Sequence, residues 1–304
     1  MDKKLTNLKQ AKILVGFSCN NNCIFCYEKR HRSLPDKTTK EIKAEIKKAR
    51  RLGFYSLHLI GGEPTLRSDI YELVRFAKGI GFKYVSLTTN GRIFAYLDFA
   101  KQLIETGISQ IIFSIHGHSA LMHDSLTSSK GSFYQTRRGI ENLRTLGFKQ
   151  IGVNTTVLSQ NFRYLNKIAK IINDYGVSRW ELIWVAAEKN NFKKLTPTIV
   201  KAAPFINKVL AIGKKKKWRW NLLNPPMGCH FASFDDSVRY GDSREERLFL
   251  KNKKSQSYFI TSKEKILNYK KIKKCLRCNL KLTCPGVEAT YLKIYGTEEV
   301  RPIL

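Results

Sequence analysis

Residues 17–28 read Phe-Ser-Cys-Asn-Asn-Asn-Cys-Ile-Phe-Cys-Tyr-Glu and place Cys19, Cys23 and Cys26, three of the seven cysteines, within eight positions. Three thiolates this close can hold three irons of a cubane [4Fe-4S] cluster and leave the fourth iron open to an exchangeable ligand. An open iron suggests chemistry rather than electron storage. The competing use of such a group is a zinc knot or a cluster of reduced, buried thiols. Zinc sites favour paired C-x2-C arms and four ligands, which this loop lacks. The other four cysteines lie near the end, as Cys229 and then Cys275-x2-Cys278-x5-Cys284 followed by Gly286. Four thiolates are enough to close one further [4Fe-4S] cluster, or equally a four-cysteine zinc site.

These residues need a scaffold, and the chain is long enough to supply one. Its 304 residues, 42% of them hydrophobic, can bury a large core in one big domain or about two. No run of 18 or more apolar residues is present, and the N-terminal decapeptide is too polar for the apolar stretch of a signal peptide. A soluble, cytoplasmic protein with no membrane association is therefore expected. Seven cysteines cannot all pair, and their grouping as three plus four fits metal binding in a reducing compartment better than disulfides. The net charge of +31, from 55 Lys and Arg against 24 Asp and Glu, would attract polyanions or acidic partners. The lysine clusters at 214–217, 251–254 and 270–274 have little aromatic interleaving, so solvated surface explains them as well.

Residues 11–17 form a short apolar run that feeds into the cysteine loop, so the loop should sit at a strand's C-terminal end. Residues 38–52 carry helical spacing (Ile42, Ile46, Ala49, Leu52) and stop at Gly53. One unit then recurs: amphipathic helix, glycine with an apolar residue, apolar strand. The junctions begin at Gly53, Gly81, Gly107, Gly147 and Gly176, and with the first strand they give six: 13–17, 55–60, 84–88, 110–116, 151–157 and 180–185. Strands alternating with helices argue for right-handed crossovers and a parallel sheet. An α/β fold follows, either a partial (β/α)6 barrel or a flat doubly wound sheet. Both gather function at the strands' C-terminal ends.

Those ends carry suitable residues. After the second strand come Gly61-Gly62-Glu63-Pro64, where glycines admit a ligand close to the backbone and a carboxylate can accept from an ammonium. The third strand ends in Thr88-Thr89-Asn90-Gly91, the fourth in Ser114-Ile115-His116-Gly117, and the fifth holds Asn154 and Thr155. Such short polar groups can bond a ribose or carboxylate, or simply form turns and caps. His116 and His118 are candidate substrate-facing acids or bases, although a neutral histidine in a polar loop is the commoner case. After residue 200 the rhythm stops. A helix over 205–212, an edge strand over 218–222, a charged surface insertion over 235–269 with weak helix at its end, and a short element over 291–296 are expected.

Cys-x3-Cys-x2-Cys with Phe25 before its last cysteine resembles the cluster loop of the radical SAM enzymes, and Gly61-Gly62-Glu63-Pro64 matches that family's GGEP motif. The resemblance covers about the first 200 residues. It implies a partial (β/α)6 barrel over 1–203, a [4Fe-4S] cluster on Cys19, Cys23 and Cys26, and S-adenosylmethionine chelated by the open iron. It also implies that Gly61, Gly62 and Glu63 meet the methionyl amine and that Thr89, Ser114 and Asn154 contact the cofactor. Residues 204–304 resemble, in cysteine spacing only, part of the auxiliary-cluster pattern of the SPASM and twitch subfamilies. A full SPASM domain carries more cysteines. Glu288 stands four residues after Cys284, so one second [4Fe-4S] cluster is the most this chain can supply. Its fourth ligand is Cys229, or its iron is open with His230 nearby. An external electron donor such as a flavodoxin or ferredoxin is implied. The substrate expected is a peptide or protein, with a nucleotide, cofactor precursor or RNA base as alternative. From another class, a non-catalytic iron–sulfur or zinc protein binding nucleic acid through its basic surface stays open.

Overall fold

The computed structural model of the chain describes residues 10–239, 246–251, 257–261 and 268–304. Its class is α/β with a partial (β/α) barrel, as expected. By contacts the chain divides into two compact units. The first is Met1–Ile115, Ser119–Gly152 and Arg244–Ser262, and the second is His116–His118, Val153–Ser243 and Lys263–Leu304. Composition places a boundary near residue 203; by contacts most of the fifth strand and all of the sixth group with the residues that follow them.

In the first unit the strands run in the order β10-β9-β1-β2-β3-β4. They are β1 (Gln10–Leu14), β2 (Ser56–Ile60), β3 (Tyr84–Thr89), β4 (Gln110–Ser114), β9 (Glu246–Lys251) and β10 (Ser257–Thr261). Strands β1 to β4 are parallel neighbours in register Lys12↔His58 and His58↔Ser86. Period-2 alternation sorts the two faces. Ala11, Ile13, Leu57 and Leu59 are wholly buried on one, while His58 on the other bonds Ser86 (2.7 Å) and Thr88 (2.9 Å) across the strands. The expected surface insertion over 235–269 is corrected here. Strand β9 pairs parallel with β1, and β10 antiparallel with β9. Charged flanks hide these strands in the sequence, and a partner more than 200 positions away leaves no local signal. The helix expected at the end of that stretch lies outside the described residues.

Helix α1 (Thr39–Arg51) follows from its ends and its stripe. Thr38 accepts from the Glu41 amide while Glu41 accepts from the Thr38 amide, a capping box that satisfies two donors with no helical partner. Ile42, Ile46 and Ala49 are buried, and Gly53 takes the left-handed φ of +82° that ends the helix.

In the second unit the order is β5-β6-β7-β8, from β5 (Ile151–Val157), β6 (Arg179–Trp184), β7 (Arg219–Leu223) and β8 (Val238–Arg239). Strand β7 is therefore interior rather than an edge, with β8 beside it. Helix α8 (Ile199–Lys215) begins six residues before the expected start and holds Pro204 inside it. An interior proline costs about 3 kcal/mol. Burial of Ile199, Ile206, Val209 and Leu210, at roughly 1.5–3 kcal/mol for each large side chain, outweighs it. The span Phe192–Lys215 has the length and composition of a membrane-crossing helix, but half of it is buried, as in a core helix, and Thr196 interrupts it in an extended conformation. A small antiparallel pair, β11 (Tyr269–Lys270) with β12 (Val287–Glu288), and helix α9 (Ala289–Tyr295) complete the unit.

Candidate functional site

The cysteine loop is an extension of the β1–β2 ladder. The Val15 amide donates to the Ile60 carbonyl, Gly62 to Gly16 and Glu63 to Ser18, at 2.7–2.8 Å. Two backbones thus run side by side into residues 16–18 and 61–63. That is why glycines stand there: a Cβ on Gly61, whose φ is +143°, would lie 2.5 Å from the Gly16 carbonyl oxygen, and one on Gly62 only 2.2 Å from that of Ser18. The close neighbour of these glycines is the cysteine loop itself. Gly62→Ala is expected to push Ser18 and Cys19 out of place and to remove about half the iron of anaerobically reconstituted protein. Gly79→Ala, where a Cβ meets nothing within 4 Å, should retain it. Equal iron in the two variants would show that the loop does not depend on this approach.

Four further groups hold the loop. Asp36 accepts from the amides of Phe17 (2.5 Å) and Ser18 (3.0 Å). Burial pushes its carboxyl up, but bonds from Ser18 and Phe17 and the charge of Arg67 outweigh this and hold it below the usual range. Arg32 donates to the Asn21 carbonyl at 2.5 Å. Arg92 donates to the Asn20 carbonyl and, at 3.1 Å, to Asn21 Oδ1. Asn90 Nδ2 donates to Asn20 Oδ1 at 2.6 Å and lies 3.9 Å from Cys19 Sγ. On the other side, the amides of Asn22 and Ile24 donate to the carbonyls of Thr127 and Leu126 at the end of α4 (Ala120–Thr127). Of these groups only Asn90 sits in a stretch the sequence singles out. Arg32, Asp36 and Arg92 carry no motif, since their roles exist only once β3 and α4 are beside the loop.

Cys19, Cys23 and Cys26 are all half-buried. Burial, with the neighbouring thiols of Cys26 and Cys19, pushes Cys23 up to about 12, and burial raises Cys19 also. A bound cation would supply the charge that holds such thiols as thiolates, and three cysteines at this spacing fit a cluster. Among the described residues no three His, Cys, Asp or Glu side chains converge as they would on a single ion.

Glu63 is 3% exposed. Its Oε1 accepts from the Thr65 amide (3.0 Å), Thr65 Oγ1 (2.7 Å) and Thr89 Oγ1 (2.8 Å), and its Oε2 from the Asn90 amide at 2.6 Å. Burial raises its pKa, opposed by these bonds. Glu63 and Thr89 thereby lock the ends of β2 and β3 together beside the loop, and Thr89 Oγ1 also accepts from the Gly91 amide at 2.9 Å. Ser114 closes β4, half-buried. All of these lie in the first unit.

In the second unit, Asn154 sits on β5 with a buried Oδ1 that has no hydrogen-bond partner among the described residues. A buried acceptor left so is costly unless a ligand donates to it. His116 is a brace: its Nδ1 accepts from the Thr156 amide at 3.2 Å and its carbonyl from Asn161 Nδ2 at 2.9 Å. His118 stacks on Tyr164 with ring centroids 4.9 Å apart. Burial, then the charge of Lys167, lowers His118 below its ordinary range.

Cys229, Cys275, Cys278 and Cys284 all line one cavity of the second unit. Two turns and a tail contact shape it: the Cys278 amide donates to the Cys275 carbonyl (3.2 Å), Cys284 to Leu280 (2.8 Å), and Asn279 to Ile303 of the tail (2.7 Å). Gly286, φ +111°, lets β12 approach β11, since a Cβ there would lie 2.4 Å from the Lys270 carbonyl oxygen. Burial raises the Cys229 thiol, with Cys284 and Cys278 adding to it. His230 is engaged elsewhere, its Nε2 bonded to the Glu299 carbonyl at 2.6 Å.

The family model described as the radical SAM superfamily matches residues 13–172, more than half of the chain. The chain belongs to the radical SAM superfamily. That superfamily uses a [4Fe-4S] cluster and S-adenosylmethionine, the groups the cysteine loop and strand ends suit. Among radical SAM relatives, "AdoMet-dependent heme synthase" of Oleidesulfovibrio alaskensis is 35% identical over 54% of this chain and 42% of its own length. "Probable GTP 3',8-cyclase" of Saccharolobus solfataricus is 32% identical over 58% and 56%. The chain spans about half the length of the curated relatives it matches. The radical SAM structure of native anSMEcpe with bound AdoMet has a TM-score of 0.62 at 17% identity, covering 97% of this chain and 92% of that one. Streptococcus suis SuiB bound to precursor peptide SuiA gives 0.61 at 16%, covering 81% and 59%. At these identities the likeness is one of fold.

Proposed function

We propose that this protein is a radical SAM enzyme that modifies a peptide or protein, with a core over 1–203 and a SPASM- or twitch-like region over 204–304 that carries a second [4Fe-4S] cluster. When bound, the first cluster and S-adenosylmethionine supply a 5′-deoxyadenosyl radical that takes hydrogen from the substrate. Cys19, Cys23 and Cys26 hold the cluster. Gly61, Gly62 and Glu63 border the cofactor's methionyl end, and Thr89 and Ser114 offer its further polar contacts. Cys229, Cys275, Cys278 and Cys284 hold the second cluster as a complete ligand set, and Arg32, Arg92 and Asp36 keep the first loop rigid.

One observation carries the peptide reading: four C-terminal cysteines share one cavity, which suits an auxiliary cluster, and members of this superfamily with such a cluster often modify peptides or proteins. A nucleotide reading is favoured by one comparison, the likeness to proteins named GTP 3',8-cyclase. Substrate-dependent deoxyadenosine formation separates them. Under dithionite, a peptide encoded beside this chain should raise deoxyadenosine several-fold over the substrate-free rate while GTP leaves it unchanged. Stimulation by GTP and not by peptide would replace the first reading with the second.

A further inference from the structure

The surface outside the second cysteine group has a composition found around no other motif of this chain. Between residues 269 and 287 there are six cations, Lys270, Lys271, Lys273, Lys274, Arg277 and Lys281, and no Asp or Glu. All six are exposed, and among the described residues none is ion-paired. Lys271 and Lys274 spend their ammonium groups on the carbonyls of Lys281 (2.6 Å) and Thr297 (3.1 Å), which fixes two of the charges in place. Within this cationic field two leucines face water: Leu276, between Cys275 and Cys278, is 67% exposed, and Leu282, two residues before Cys284, is 89% exposed. Large apolar side chains held out in solvent among cations have the composition of an interface core with its polar rim.

Resting on the reading of these cysteines as a cluster site, we infer that this face docks an acidic one-electron carrier protein, Leu276 and Leu282 seating in its apolar centre and the cations meeting its carboxylates. One electron passes from the reduced carrier to the oxidised second cluster. The carrier is oxidised by one electron, the cluster is reduced by one, and no bond or proton moves. Leu276 follows Cys275 and Leu282 stands two residues before Cys284, so the contact lies close in sequence to the candidate ligands. A nucleic acid is the weaker occupant, because single strands are held by stacking on aromatic faces, and the exposed apolar groups here are aliphatic.

The test uses anaerobically reconstituted protein and, as probe, a reduced plant-type [2Fe-2S] ferredoxin, with cluster bleaching followed by stopped flow in the Cys19, Cys23, Cys26 triple alanine variant so that only the second cluster reports. The bimolecular rate should fall steeply with salt and drop about tenfold in Lys273→Glu/Lys281→Glu, while reduction by dithionite is unchanged. Leu282→Ser should weaken ferredoxin binding several-fold without altering the salt slope. Lys214→Glu/Lys215→Glu, in the other lysine cluster, should leave the rate within twofold. A rate equally sensitive to the two lysine clusters, or insensitive to both, would overturn the docking face. So would binding of a single-stranded RNA at this face in the absence of ferredoxin binding. If Lys273→Glu/Lys281→Glu loses iron, Lys273→Gln/Lys281→Gln replaces it, with a smaller drop expected. Absence of any bleaching together with stoichiometric zinc would instead reject the cluster reading beneath the proposal.

Discussion

Alanine at Cys19, Cys23 and Cys26 together should abolish reductive cleavage of S-adenosylmethionine and lower the iron of reconstituted protein from about eight to about four per chain. The loss is expected to be complete, because the rest of the site has no other way to hold a cluster. The loop's carbonyls are already bonded to Arg32 and Arg92, Asp36 is used by two loop amides, and Glu63 is filled by Thr65, Thr89 and Asn90. These braces make no use of the thiols, so the variant should still fold and keep the metal of its second group. Deoxyadenosine production under dithionite is the measurement. Production undiminished from wild type would falsify the assignment of the first cluster.

The second large effect is at the other end of the chain. Alanine at Cys275 and Cys278 should remove about four irons and leave S-adenosylmethionine cleavage in the absence of substrate measurable. Cys229→Ala alone should weaken the same cluster, because Cys229 lines the cavity with the other three and feels Cys278 and Cys284. His230 Nε2 is bonded to the Glu299 carbonyl. The rival outcome is countable. A zinc site would give about four irons and one zinc in wild type, and the zinc would survive in the triple variant of the first loop. Stoichiometric zinc in protein purified without oxygen would refute the second cluster and leave the first untouched.

Local pattern was enough for much of this protein. The cysteine loop, the Gly61-Gly62-Glu63-Pro64 turn and five glycine-led helix-to-strand junctions are sequence-adjacent features, and steric and periodic rules read them directly. The strands they announce are present, each within a few residues of its expected bounds. Helix α1 is visible for the same reason, since its cap, its stripe and its terminal glycine are consecutive.

Other features depend on distance in the chain. Strand β9 is hidden because its partner is β1, β10 because it pairs with β9, and β7 looks like an edge because β8 is two residues long. The reason for the two glycines changed from room for a ligand to room for residues 16–18, which only the parallel approach of two backbones reveals. Arg32, Asp36 and Arg92 are ordinary surface-type residues in sequence. They become the loop's supports because folding brings them within hydrogen-bond reach of carbonyls and amides 11 to 72 positions away. The sequence by itself therefore determined which chemistry the chain can carry, since ligand type and spacing are covalent facts. Tertiary structure alone decided what holds that chemistry still and which cysteines share a cavity, because hydrogen bonds and burial join residues by position in space.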